Sequence, residues 1–147
     1  MPNVFRSTVI DAPADDVWAR VRDFNGLPAW HPLIDRSEIE GGGPSDSIGC
    51  VRSFYLTDGG HIRETLLAFS DAERSQTYDI IEAPLPLRNY VATLSVTPVT
   101  DGDRSYVEWT AEFDCDPGQE SELLDVVGNG VFQGGFDALK EHFGSRT

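Results

Sequence analysis

The sequence predicts an α+β domain: a curved antiparallel sheet of about seven strands wrapped around a long C-terminal helix, with two short helices after strand 1. Three observations carry this. Short β-rich segments between Cys50 and Asp116 are separated by tight-turn sequences such as DGG and DGD. The last two of these segments alternate between apolar and polar residues. A wide apolar arc at helical spacing then runs from about Gln119 to Phe143.

Each element follows in order. Val4 to Ile10 is a β-rich run. In the DAPADDVWARVRDF stretch, Asp11 is placed to cap a helix, Pro13 suits its first turn, and Asp15 and Asp16 complement its positive end. Val17, Trp18, Val21 and Phe24 make its apolar face, and Asn25-Gly26 stops it. LPAWHPLI holds at most one further helical turn, and IEGGGPSDSIG reads as a loop. Strands are predicted over Cys50 to Thr57, His61 to Ser70, Ser75 to Ala83, Asn89 to Val99 and Arg104 to Asp116, with PLPLR as a break. Tyr90, Ala92, Leu94 and Val96 share one face of their strand, and Val107, Trp109, Ala111 and Phe113 share one face of the next. In HIRETLLAFS both phases contain apolar residues, so the period does not choose a face.

The C-terminal helix has a polar stripe of Asp125, Asn129, Gln133, Asp137 and Lys140. Opposite lie Leu124, Val127, Val131, Ala138, Leu139 and Phe143, flanked by Phe132 and Phe136. Gly128, Gly130, Gly134 and Gly135 each cost a helix about 1 kcal/mol relative to Ala. Either the helix backbone packs tightly on the sheet there, or something else occupies the space.

The totals narrow the function. The chain has 147 residues, 39% of them apolar, enough for one domain with a core. A formal charge of -14 repels nucleic-acid backbones and anionic membranes. No apolar window is long enough for a membrane span, and the N-terminus lacks signal-peptide features. Cys50 and Cys115 read as free thiols, so a cytoplasmic location is expected. The spacing of His31, His61 and His142 fits no metal motif, no phosphate-binding glycine motif follows a strand, and no serine or cysteine sits in a recognisable nucleophile motif. No cofactor or metal is expected.

His31 stands beside Trp30, between Pro28 and Pro32. Such a residue is either an acid/base group at a pocket mouth or a surface histidine in a rigid loop. Tyr78 and Tyr90 can line a pocket or simply fill a core. Arg52 and Arg63 can answer an anionic ligand or sit as solvated edge residues.

In their order and spacing, VIDAPADDVWARVRDF, LPAWHPLI, IGCVRSFYL, RETLLAFSDAE and IIEAPLPLRNY resemble the START-like, or SRPBCC, superfamily. This is the helix-grip fold of birch pollen allergen, polyketide cyclases/dehydrases and plant abscisic acid receptors. The resemblance covers essentially the whole chain, and the bacterial polyketide cyclase/dehydrase-like group is the most similar. It implies a ligand cavity between sheet and long helix. His31 falls at the receptors' cavity lysine and Glu64 at a cavity glutamate. Phe54, Leu56, Tyr78, Ile80 and Tyr90 fall on the cavity side, Leu87 on a latch loop, and Val127, Val131 and Gly135 on the ligand-facing side of the helix. Trp109 stands where the receptors have a second acid, and the gate loop is shortened to DGG, so receptor-type gating is not expected.

The expectation is therefore a protein that binds a small hydrophobic or polycyclic, polyketide-like ligand, as monomer or homodimer. His31, Glu64 and Tyr90 are the candidate catalytic residues for cofactor-free cyclisation or dehydration. Trp30, Phe54, Leu56, Tyr78, Ile80, Leu87, Trp109, Val127, Val131 and Gly135 are the candidate binding residues, with Trp30 and His31 on the rim. The alternatives are a non-catalytic carrier or sensor, and a domain whose pocket is vestigial. In the last case, filling the space by Gly135→Leu would stabilise the protein.

Overall fold

The computed structural model describes residues 2–144. Its order is β1 (Asn3–Ile10), α1 (Ala14–Val21), α2 (Leu27–Trp30), β2 (Ile34–Ile39), β3 (Val51–Leu56), β4 (His61–Ser70), β5 (Ser75–Glu82), β6 (Leu87–Val99) and β7 (Arg104–Cys115). A continuous C-terminal helix follows, built from α3 (Glu120–Asp125), a π-helical stretch (Val126–Gln133) and α4 (Gly134–Phe143). The strands form one seven-stranded sheet in the order β1-β7-β6-β5-β4-β3-β2, and every neighbouring pair is antiparallel. This is the predicted helix-grip architecture.

The inner face of the sheet buries the expected alternating residues of β6 and β7, and Trp109 stacks on Phe132 of the helix with ring centroids 4.4 Å apart. In α1, Val17, Trp18 and Val21 are buried as the spacing requires. Phe24 is buried too, although it lies beyond the end of the helix. Pro13, rather than Asp11, is the N-cap of α1, and no side-chain cap bond forms.

Two local expectations need correction, and one face left open by the sequence is settled. The stretch after His31 contains strand β2, which pairs along β3 from Ile34↔Leu56 to Ile39↔Arg52. Its residues Asp35, Arg36 and Glu38 are exposed, as an edge strand allows, and this polarity hid it. β6 starts at Leu87, because Asn89 takes a left-handed φ of 54° within an irregularity between Arg88 and Val91. This keeps Tyr90 on the inner face despite the PLPLR break. In β4, Ile62, Glu64 and Leu66 point inward, and a register shift between Leu66 and Ala68 ends the alternation. One strand therefore carries two phases, which is why its period was ambiguous.

The helix also departs from a plain α pattern. Its buried residues are Leu123, Val127, Gly128, Phe132, Gly135, Phe136 and Leu139. Phe132 and Phe136 are thus central rather than flanking, while Leu124 and Val131 are half-buried. Wider π turns take up extra residue per turn and rotate the face that meets the sheet.

Candidate functional site

Between the sheet and the helix lies a cavity of about 60 Å³. His31, Phe54, Leu56, Glu64, Tyr78, Ile80, Leu87, Tyr90, Trp109, Val127 and Val131 all line it. Trp30 and Gly135 do not. A Cβ at Gly135 would stand 3.0 Å from Cζ3 of Trp109, 3.0 Å from Cζ3 of Trp30 and 3.1 Å from Cδ2 of His31. The helix therefore packs backbone to ring here, and no ligand space exists at this glycine. Gly128 is similarly close to the Arg6 guanidinium and Val4, whereas Gly130 has open space around it.

The rim assignment is also corrected. Trp30 and His31 are 6% and 2% exposed. α2 tucks both under the helix. The Leu33 N–H donates to His31 Nδ1 at 3.2 Å, so the proton is on Nε2, which donates to the Val131 carbonyl at 2.7 Å. Burial, aided by the positive charge of Arg52, holds the imidazole below its ordinary pKa, against the pull of the Val131 bond. With both nitrogens engaged, His31 is a neutral clamp between α2 and the π-helical stretch, not a free acid/base group. Its depressed pKa means that folding favours the neutral form. Stability that is present above the ordinary value of 6.5 is then lost as pH falls through the folded pKa. Urea midpoints measured downward from pH ~6.5 should show this slope, and His31→Phe should remove its part of it.

Arg52 and Glu64 form the polar floor. They face each other across β3 and β4 in direct register and are 4% and 5% exposed. Arg52 Nε donates to Glu64 Oε1 at 2.8 Å, and Nη2 lies 2.6 Å from the same oxygen. Arg52 Nη1 donates to the Phe24 carbonyl, and the guanidinium packs 3.9 Å from the Phe24 ring centroid and 4.7 Å from that of Tyr78. Burial pushes the Glu64 carboxyl above the ordinary range, while Arg52 pulls it down. Arg63, on the other face of β4, bonds Glu40 at the surface. Of the two arginines, Arg52 is thus the buried partner of Glu64, and Arg63 is the edge residue.

Tyrosines complete the floor. Trp109 Nε1 donates to the Tyr78 hydroxyl at 2.9 Å, and the Tyr78 and Tyr90 hydroxyls interact with each other. Burial raises both phenol pKa values far enough to keep the hydroxyls protonated.

Leu27, Leu33, Ile34, Arg52, Ile62 and Leu85 complete the lining. Arg52 shares the inward parity of Phe54 and Leu56, and Ile62 that of Glu64, so strand parity was a usable signal for both. Leu33, Leu56, Ile62, Leu85 and Val131 also border an outer groove of about 660 Å³, whose outer edge includes Asp58 and Asp125. The inner cavity is thus the closed end of a larger, open one. Among the described residues, no cluster of three or more potential ligands could hold a metal, and no helix is long and apolar enough to cross a membrane.

Comparison with known proteins places the chain in a family. A search of curated proteins finds no match. Among solved structures, XoxI from Bacillus cereus is 34% identical with a TM-score of 0.87, over 97% of this chain and 96% of that one. A protein from Thermobifida fusca is 36% identical with a TM-score of 0.88, over 98% and 94%. Norcoclaurine synthase from Thalictrum flavum, solved with dopamine and hydroxybenzaldehyde, shares the fold at 18% identity and a TM-score of 0.75, over 96% and 85%. The family described as polyketide cyclase / dehydrase and lipid transport matches residues 1–144, and the chain belongs to it.

Proposed function

We propose that the protein binds a small amphiphilic ligand with an apolar, ring-containing body. Its polar end meets Arg52, Glu64 and Tyr90, and its body passes the Leu33, Leu56, Leu85 and Val131 ring into the outer groove. One observation carries this: a buried ion pair and two protonated tyrosine hydroxyls converge on the closed end of an otherwise apolar channel. An apolar pocket with a few convergent polar groups is the usual form of a small-molecule site.

Size refines the ligand. The inner cavity, at about 60 Å³, is below the ~150 Å³ that accommodates benzene. The outer groove, at about 660 Å³, falls within the ~300–1,000 Å³ of ligand pockets. A polycyclic, polyketide-like body therefore sits in the groove and reaches inward only with its tip. Both contacts of Arg52 fall on Oε1 of Glu64, so Oε2 is the acceptor left for a ligand hydroxyl.

The test is a titration with the neutral fluorescent probe N-phenyl-1-naphthylamine. Saturable binding is expected, weakened ~tenfold or more, which is about 1.4 kcal/mol, by Val131→Trp or Leu85→Trp. If the probe fails to bind, or both variants bind it as tightly as the natural chain, the channel is not the site.

A catalytic version of this reading rests on Glu64, whose carboxyl is held toward its protonated range by burial. Glu64 would exchange a proton with the substrate and Tyr90 would donate to the developing oxyanion, giving cofactor-free cyclisation or dehydration. Glu64→Gln would then keep ligand binding and lose turnover. In a carrier or sensor, saturable binding occurs with no turnover to lose.

A further inference from the structure

A second polar constellation lies on the outer surface of the sheet. Ser53 and Tyr55 on β3, His61 on β4, Glu82 on β5 and Arg36 on β2 alternate with the inward residues Arg52, Phe54, Ile62 and Glu64. Ser53 Oγ lies 2.7 Å from His61 Nε2, and His61 Nδ1 lies 3.5 Å from Glu82 Oε2. The imidazole stacks on the Tyr55 ring, centroids 4.5 Å apart at 10°, and the Arg36 guanidinium lies 4.3 Å from the same ring's centroid. Ser53 is buried overall but borders a hollow of about 250 Å³ shared with Arg36, Ser37, Glu38 and Tyr55. Arg63 on this surface is taken up by Glu40 and Glu82, while Arg36 has no ion pair among the described residues.

The carboxylate beside Nδ1 favours the tautomer that carries its proton there, which leaves Nε2 to accept from the serine. The Tyr55 stack fixes the plane of the ring. A hydroxyl hydrogen-bonded to a base that is itself oriented by a third group is the arrangement of an activated nucleophile. No sequence motif announces it, because the residues come from three strands and meet only through strand pairing.

We propose that Ser53, His61 and Glu82 form an acyl-transfer site that hydrolyses small neutral esters, separate from the interior cavity. Ser53 Oγ attacks the ester carbonyl carbon while His61 Nε2 takes its proton. The tetrahedral adduct collapses with cleavage of the ester C–O bond, and the departing alcohol receives that proton. Water then attacks the acyl-serine with proton transfer through His61, releasing the acid and restoring the hydroxyl. Strand pairing occupies much of the backbone around Ser53, so the Arg36 guanidinium is the donor for the oxyanion. Glu38, in the same hollow, disfavours anionic acyl groups.

The test uses the full chain and p-nitrophenyl acetate, followed by intact-mass measurement and peptide mapping. The expected result is an acetyl group on Ser53 and an acylation rate reduced ~100-fold or more in Ser53→Ala and His61→Gln. Ser95→Ala, on the same outer surface, should keep the natural rate. Acetylation confined to Lys140 or the terminal amine, or natural turnover in folded Ser53→Ala, overturns the proposal. Should Ser53→Ala fail to fold, the mapped adduct on the natural chain decides.

Discussion

Replacing Arg52 with Met is expected to destabilise the protein by ~3–5 kcal/mol in urea unfolding, because it leaves the Glu64 carboxylate buried without its counter-charge. The guanidinium also holds the Phe24 carbonyl and fills the space between the Phe24 and Tyr78 rings. The double replacement Arg52→Met with Glu64→Leu should recover most of that loss, since an apolar pair of similar volume needs no desolvation of charge. Its ligand binding should not recover. That contrast separates a polar group kept for recognition from one kept for stability. The pH dependence has a definite sign. A carboxyl with a raised folded pKa stabilises most below the unfolded value of 4.5, and the benefit disappears as pH rises through the folded pKa. Without Arg52 to oppose burial, the single variant should therefore lose stability more steeply than the natural chain as pH rises above that value. A cost below ~1 kcal/mol for Arg52→Met would instead mean a solvated pair.

Gly135→Leu is expected to destabilise by more than ~3 kcal/mol, the upper end of ordinary overpacking. The expectation of a stabilising filler is reversed because the first added carbon already meets the Trp30, Trp109 and His31 rings at 3.0 to 3.1 Å. The ~1 kcal/mol of helix propensity gained over glycine is smaller. Thermal or urea midpoints would check this. Gly130→Ala is the useful contrast, because nothing stands within 4 Å of its Cβ position. It should stabilise by up to ~1 kcal/mol through helix propensity alone, and a stabilised Gly135→Leu would mean that the rings have room to move.

Legibility in the sequence follows the physics of each segment. β6 and β7 could be read directly because one face is buried and the other wet, so their alternation survives into the sequence. β2 could not, because an edge strand rich in Asp, Arg and Glu looks like a loop. The resemblance located most of the residues that share the cavity, yet it could not orient them. Whether His31 faces solvent or a carbonyl depends on α2 folding under the helix, a tertiary fact. The Ser53–His61–Glu82 cluster was invisible for the same reason: strand pairing creates proximity that spacing along the chain does not encode.

The π-helical stretch has a consequence for how the cavity wall can change shape. A wide turn can migrate along a helix by exchanging single i→i+5 bonds for i→i+4 bonds, with the rest of the helix intact. Each exchange re-aims the side chains it passes, and Val131 stands within this stretch, at the boundary between inner cavity and groove. The position of the wide turns therefore decides where Val131 points and how the inner cavity opens into the groove. Their present setting is pinned at Val131 by the His31 imidazole and at Phe132 by the Trp109 ring.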